Sequence, residues 1–203
     1  MTSRDATAVL IPIKDFGRAK GRLGDALEPA GRADLARRLA ATVVAAARPL
    51  PAYVVCDDDE VAMWCETSGA TVLWRPASGL SEAVSAGIDA LRAEGVRRAV
   101  ISHSDLPLAT ELAWVADWPG VTIVPDRHLD GTNVMSVPTD ADFVFRYGPG
   151  SFHGHIDETA RCRLGLRVRI DAALGWDVDH PADLTLPDGR SLVGDPEPAG
   201  GPR

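Results

Sequence analysis

Four short stretches of this chain carry residue types that could do chemistry together. The first, KDFGRAKGRL, places Lys14, Arg18, Lys20 and Arg22 around two glycines within ten residues. Cations on a glycine-bearing loop suit a polyphosphate, because backbone N–H groups can approach the oxyanions while the side chains offset their charge. A solvated basic loop is the alternative. Lys14 and Lys20 are the only lysines among 21 basic residues, so compact point charges are concentrated in this segment. The loop matches neither GxxxxGK[ST] nor GxGxxG, which removes the standard P-loop and dinucleotide fingerprints.

The second and third stretches are acidic. In SHSDLPLAT, Asp105 follows an apolar run, as a magnesium ligand at a nucleotide site would; a helix cap is the other use of an aspartate there. In WDVDHPADL, Asp177 and Asp179 flank Val178, and residues i and i+2 of an extended segment face one side. Two adjacent carboxylates repel unless a cation or protons offset them. Asp105, Asp177 and Asp179 are therefore the candidate metal ligands, with a turn capped by Asp183 as the alternative for the last two. The fourth stretch joins PDRHLDGTNV to FRYGPGSFHGH, where Thr132, Gly148 and Ser151 offer small groups and backbone donors for a carboxylate or phosphate. Ser151 is expected to N-cap a helix running through Glu158. His153 and His155 lie nearby, but no GxSxG elbow accompanies them, so a nucleophilic triad is not expected.

Alternating elements must position these stretches. The apolar run Ala6–Ile13 reads as a buried strand and Gly31–Ala47 as a helix closed by Pro49 and Pro51. Strands follow at Ala52–Cys56, Thr71–Trp74, Arg98–Ser102 and Val121–Val124, with helices ending near Ser68 and spanning Leu80–Glu94. Asn133–Val137 is expected to pair beside the last of these strands. The alternation predicts a parallel, doubly wound α/β sheet, in which ligands bind beyond the carboxyl ends of the strands. The unusual stretches follow the strands at those ends.

The 203 residues suffice for one domain with a sizeable core, expected over residues 1–187, with a flexible Pro/Gly-rich tail over 188–203. A net charge of −8 argues against a nucleic-acid partner. Three cysteines, no long apolar run and no signal-peptide pattern point to a reduced, cytoplasmic chain with no membrane association.

Taken in order, IPIKDFGRAKGRL, SGLSEAVSAGI, SHSDLPL, PDRHLDGTN, YGPGSFHGH and WDVDHPADL resemble the CofC/FbiD family, guanylyltransferases of coenzyme F-420 biosynthesis. The resemblance spans about residues 8–184. It implies a single-domain, Rossmann-like nucleotidyltransferase fold with a mostly parallel central sheet. It also implies GTP as donor, Mg2+ as cofactor and phosphoenolpyruvate as acceptor. The alternatives are 2-phospho-L-lactate or 3-phosphoglycerate as acceptor, or a related transferase of other nucleotide specificity. Carried over by position, Thr132, Gly148 and Ser151 would bind the acceptor, and Asp105, Asp177 and Asp179 would hold magnesium. Lys14, Arg18, Lys20, Arg22 and Gly79 would face the nucleotide, with Lys20, Arg22 and Asp105 as the catalytic set. Ser81 stands where Asn is commoner in the family, in the segment tied to guanine recognition. A homodimer and a downstream F-420-pathway transferase complete the expected partners. A nucleotide-binding regulatory domain without catalysis is the rival of a different class.

Overall fold

The computed structural model describes residues 6–193. Seven strands form one sheet: β1 (Thr7–Pro12), β2 (Ala52–Cys56), β3 (Thr71–Trp74), β4 (Arg98–Ser102), β5 (Val121–Pro125), β6 (Thr132–Pro138) and β7 (Leu166–Val168). Their spatial order is β3-β2-β1-β4-β6-β5-β7. Every neighbouring pair is parallel except those made by β6, which runs antiparallel to β4 and β5. The expected mostly parallel α/β sheet is present, and β6 supplies the reversal.

The inner strands are buried on both faces because their side chains alternate between two cores. In β1, Val9 and Ile11 face α1 (Pro29–Ala46) and α2 (Asp59–Ser68), beside Val43 and Val61. Ala8 and Leu10 face the other way, with Val84 and Leu91 of α3 (Leu80–Ala93) and Phe152 of α4 (Ser151–Arg161). Gly87 lets α3 lie close to β1: a Cβ there would stand 2.8 Å from Leu10 Cδ2.

A third, smaller cluster joins Leu23, Leu35 and Leu39 to Val178 and Leu184. It fastens the loop after β1 to the segment carrying Asp177 and Asp179. The packed chain also runs beyond residue 187. Residues 188–193 turn back through a Thr185–Ser191 bridge, and Leu192 packs on this cluster. Positions 194–203 of the expected tail lie outside the described residues.

Candidate active site

The loop after β1 is shaped by its own side chains. Asp15 Oδ1 accepts the N–H groups of Gly17 (2.7 Å) and Arg18 (3.3 Å), an Asx turn that starts the reversal. Phe16 is buried edge-on against Trp64, at 5.5 Å between centroids, and anchors the loop to the body. Lys20 then adopts a left-handed backbone, φ 58°, which few non-glycine residues do. Its ammonium donates to Asp105 Oδ2 and to the Val178 carbonyl (2.6 Å), and lies 3.7 Å from Asp179 Oδ1. Arg22 reaches Asp179 Oδ2 at 3.0 Å. Lys14 and Arg18 stay exposed on the loop, Arg18 pairing with Asp15 at 3.5 Å. Of the four cations, Lys20 and Arg22 are thus brought to the carboxylates, and Lys14 and Arg18 line an adjoining cavity of about 220 Å³.

Asp105 follows β4, where burial would push its carboxyl up; the Lys20 ammonium and His103 outweigh this and hold it below the usual range. Its Oδ1 is buried and has no hydrogen-bond partner. Asp177 shifts the other way: burial, then the charge of Asp105, raises its affinity for a proton. Between Asp177 and Asp179, Val178 is fully buried in the third cluster, so the side chains alternate as the spacing predicts. Asp177 Oδ1 meets Arg127 at 3.5 Å and Asn133 Nδ2 at 3.4 Å.

The alternative role for Asp183 is also realised, at the same place. Buried Asp183 accepts the N–H groups of Asp179 (2.8 Å) and His180 (2.6 Å) through Oδ2 and pairs with Arg127 through Oδ1. Arg127 in turn lies over the Trp176 ring at 4.4 Å. Arg127 and Asn133 join Asp177 and Asp183 here without a motif of their own; the one sequence signal is position, since both lie inside PDRHLDGTNV.

Next to this acidic strip opens a cavity of about 470 Å³, lined by Asp126, Gly131, Asn133, Gly148, Ser151 and Asp177 among others. The turn at its rim is built by Asp126, whose carboxylate collects the N–H groups of His128, Asp130 and Gly131. Gly148 (φ 128°) and Gly150 (φ 75°) give the second rim segment backbone angles that a side chain would oppose. Gly150, not Ser151, is the N-cap of α4; Ser151 is the first helical residue and makes no capping bond. Taking the cap requires the left-handed angle that glycine supplies.

Thr132 is placed differently from Gly148 and Ser151. It is 1% exposed and does not line the cavity, its Oγ1 lying 3.0 Å from His155 Nδ1. His155 Nε2 accepts the Arg146 N–H (3.2 Å), and burial lowers its pKa to about 4. The ring is therefore neutral, protonated on Nδ1, and donates to Thr132.

Gly79 precedes α3 and lines a third cavity, of about 180 Å³, with Pro12, Lys14, Asp57, Arg75 and Leu80. Ser81 does not face it: its hydroxyl accepts the Tyr147 N–H at 2.9 Å and ties α3 to the loop before α4. Pro12 and Leu80 line both this cavity and the largest one, so the two adjoin.

Among the described residues, no three His, Cys, Asp or Glu side chains converge as a ready-made metal site. Lys20 occupies the space between Asp105 and Asp179. The residues nevertheless suit a hard cation held jointly with phosphates: Asp105 has an unpartnered buried oxygen, and burial and the Asp105 charge push Asp177 towards protonation, which a cation would relieve.

Adjoining cavities at the strand ends, with Lys20 and Arg22 set against Asp105 and Asp179 beside the larger one, have the layout of a nucleotidyltransferase. The chain matches the family described as "Guanylyl transferase CofC like" over residues 7–186, and it belongs to that family. It is 35% identical over 198 residues to the phosphoenolpyruvate guanylyltransferase of Sphaerobacter thermophilus, covering 93% of this chain and 95% of that one. The enzyme of the same name from Rubrobacter xylanophilus is 33% identical over 186 residues, covering 86% and 90%. The fold is shared with a putative nucleotide-diphospho-sugar transferase from Desulfovibrio desulfuricans, at TM-score 0.72 and 18% identity over 91% of this chain and 86% of that chain. A nucleotidyl transferase from Methanothermobacter gives TM-score 0.61 at 16% identity, over 88% and 94%.

Proposed function

We propose that this chain transfers the guanylyl group of GTP to the phosphate of phosphoenolpyruvate, giving enolpyruvoyl-2-diphospho-5'-guanosine and pyrophosphate, in cytoplasmic coenzyme F-420 biosynthesis. One observation carries this reading beyond the family. Two cavities share Pro12 and Leu80, and the larger one is also lined by Arg22, Asp105 and Asp179. Such a layout suits a nucleotide on one side, a small phosphorylated acid on the other, and phosphates meeting between them.

The chemistry follows from charge. An oxygen of the acceptor phosphate attacks the α-phosphorus of GTP, and the bond from that phosphorus to the bridging oxygen of pyrophosphate breaks. The nucleophile is already an oxyanion, so no general base is needed. The main cost is bringing two polyanions together, which Lys20 and Arg22 offset at the junction, and positioning supplies the rest. The donor's outer phosphates fall to Lys14 and Arg18 on the exposed loop. Backbone groups around Gly148 and Ser151 orient the acceptor. Mg2+, when bound, adds charge neutralisation, with Asp105, Asp177 and Asp179 as the residues to hold it. Thr132 acts on this site from behind, its position fixed by His155.

Pyrophosphate release with GTP and MgCl2 tests the reading, with phosphoenolpyruvate, 2-phospho-L-lactate and 3-phosphoglycerate offered separately. Release with phosphoenolpyruvate alone is the expected result. Release with another of the three acids moves the acceptor assignment; silence with all three, in protein that binds GTP, removes it.

A further inference from the structure

The loop after β2 carries four successive acids, Asp57, Asp58, Asp59 and Glu60. Three are accounted for without a ligand. Asp58 caps α2 by accepting the Val61 N–H at 3.0 Å, Glu60 pairs with Arg37, and Asp59 is exposed in the first turn of α2. Asp57 is different. It is half-buried, makes no hydrogen bond or ion pair with any described residue, and lines the cavity of about 180 Å³ beside Gly79. The remaining lining is largely apolar, from Pro12, Val55, Leu80 and Ala83, with Lys14 and Arg75 as its two cations. At Gly79 a Cβ would meet no atom within 4 Å, so the missing side chain leaves open space against the backbone there.

A small, largely apolar cavity with one free carboxylate suits a heterocycle that presents two hydrogen-bond donors on one edge. Guanine does so through N1–H and the 2-amino group, which the two oxygens of a carboxylate accept as a charge-assisted pair. Adenine and cytosine present a ring-nitrogen lone pair at the matching position, which a carboxylate repels. Ser81, the residue that departs from the family pattern, is engaged with Tyr147 and is not free to read the base.

We infer that Asp57 is the residue that selects guanine, accepting N1–H and the 2-amino group of the base in the Gly79–Leu80 slot. This rests on the nucleotide reading above and adds the group that sets its specificity. The site expects a graded preference, because hypoxanthine keeps N1–H and lacks the 2-amino group. Losing one hydrogen bond to a charged group weakens binding by about 10- to 100-fold. GTP therefore binds best, ITP about that much more weakly, and ATP and CTP more weakly still.

The test is displacement of a fluorescent GTP analogue by GTP, ITP, ATP and CTP from the wild type, Asp57→Ala and Asp57→Asn. Both variants should keep the wild-type circular dichroism spectrum, since Asp57 bonds to nothing in the fold. The expected result is a loss of about 10- to 100-fold in GTP affinity, with ATP and CTP unchanged or improved, so that the ranking collapses to within a few-fold. An unchanged ranking in both variants overturns the assignment while leaving the guanylyl reading intact. Equal weakening of all four nucleotides also overturns it, because the carboxylate would then be serving the ribose or the fold. A wild type that does not distinguish GTP from ATP and CTP points instead to failure of the guanylyl reading itself, and Asp57 falls with it.

Discussion

Lys20 and Val178 are 158 residues apart in sequence, yet the Lys20 ammonium donates to the Val178 carbonyl at 2.6 Å. This bond, with the ion pair to Asp105, closes the loop after β1 onto the acidic strip and gives the site its shape. Lys20 is thus a clasp between two distant segments, and in the proposed reaction it is also a cation set against the phosphates.

Replacing Lys20 should therefore affect GTP use more than folding. Lys20→Met is expected to lower kcat/KM for GTP by roughly 10²- to 10³-fold, the scale of losing one charge-stabilising donor. Lys20→Arg should not restore it, because a planar guanidinium does not fit a point-charge position among three oxygens. Steady-state pyrophosphate release against GTP concentration checks both; wild-type kinetics in Lys20→Met would remove Lys20 from the mechanism.

Asp105→Ala and Asp179→Ala should each leave the circular dichroism spectrum intact and abolish most turnover. Chelation with EDTA should silence the wild type, and added MgCl2 should restore it. Turnover that persists in EDTA would take the metal role away from the three aspartates.

Asp183→Asn probes a positioning residue. The substitution leaves one acceptor where two backbone N–H groups and Arg127 converge on a carboxylate. A loss of about 1–3 kcal/mol is expected from chemical denaturation. Activity should fall with it, as Asp179 loses its support. A stable variant with normal kinetics would show that the strip holds its shape without this clamp.

Gly175 is a packing constraint next to the strip. A Cβ there would lie 2.7 Å from the Asp171 carbonyl oxygen, backbone that cannot swing aside. Gly175→Ala should cost about 1–3 kcal/mol and lower the melting temperature. An unchanged melting temperature would mean that the turn yields freely.

His155 gives a pH dependence of stability. Its folded-state pKa is about 4 against an ordinary value of 6.5, so the unfolded chain binds the proton more readily. The contribution is complete above about pH 6.5 and is lost as the pH falls towards 4, up to about 3 kcal/mol. In urea titrations from pH 7 to 4.5, the wild type should lose more stability than His155→Gln, measured against each protein's own value at pH 7. Parallel pH profiles would contradict the buried neutral ring.

The buried elements were the ones legible from the sequence. Strands β1, β2 and β4 announce themselves as β-branched runs because both faces of the sheet are covered. Strand β7 gave no such signal: it is three residues at the sheet edge, with Leu166 and Val168 exposed. At the site, Lys20, Arg22, Asp105 and Asp179 stood out as charges beside strand ends, and the structure brings them together. Arg127 and Asp183 were harder, because what they do is bond to each other across 56 residues, which no local pattern encodes. At Thr132 strand alternation turns the side chain to His155 and leaves Asn133 facing the cavity, a pairing that depends on the distant α4 and so has no local signature.

The reversed direction of β6 has a last consequence, for how such an enzyme can change its acceptor. Because β6 runs antiparallel to its neighbours, the hairpin from Asp126 to Gly131 lies at the strand ends and lines the cavity proposed for the acceptor, fastened by the carboxylate of Asp126. The nucleotide side rests on other loops, those after β1, β2 and β3. On the proposed reading, exchanging the hairpin residues other than Asp126 and Arg127 would retool the choice of acid, while those two keep the turn and the acidic strip as they are.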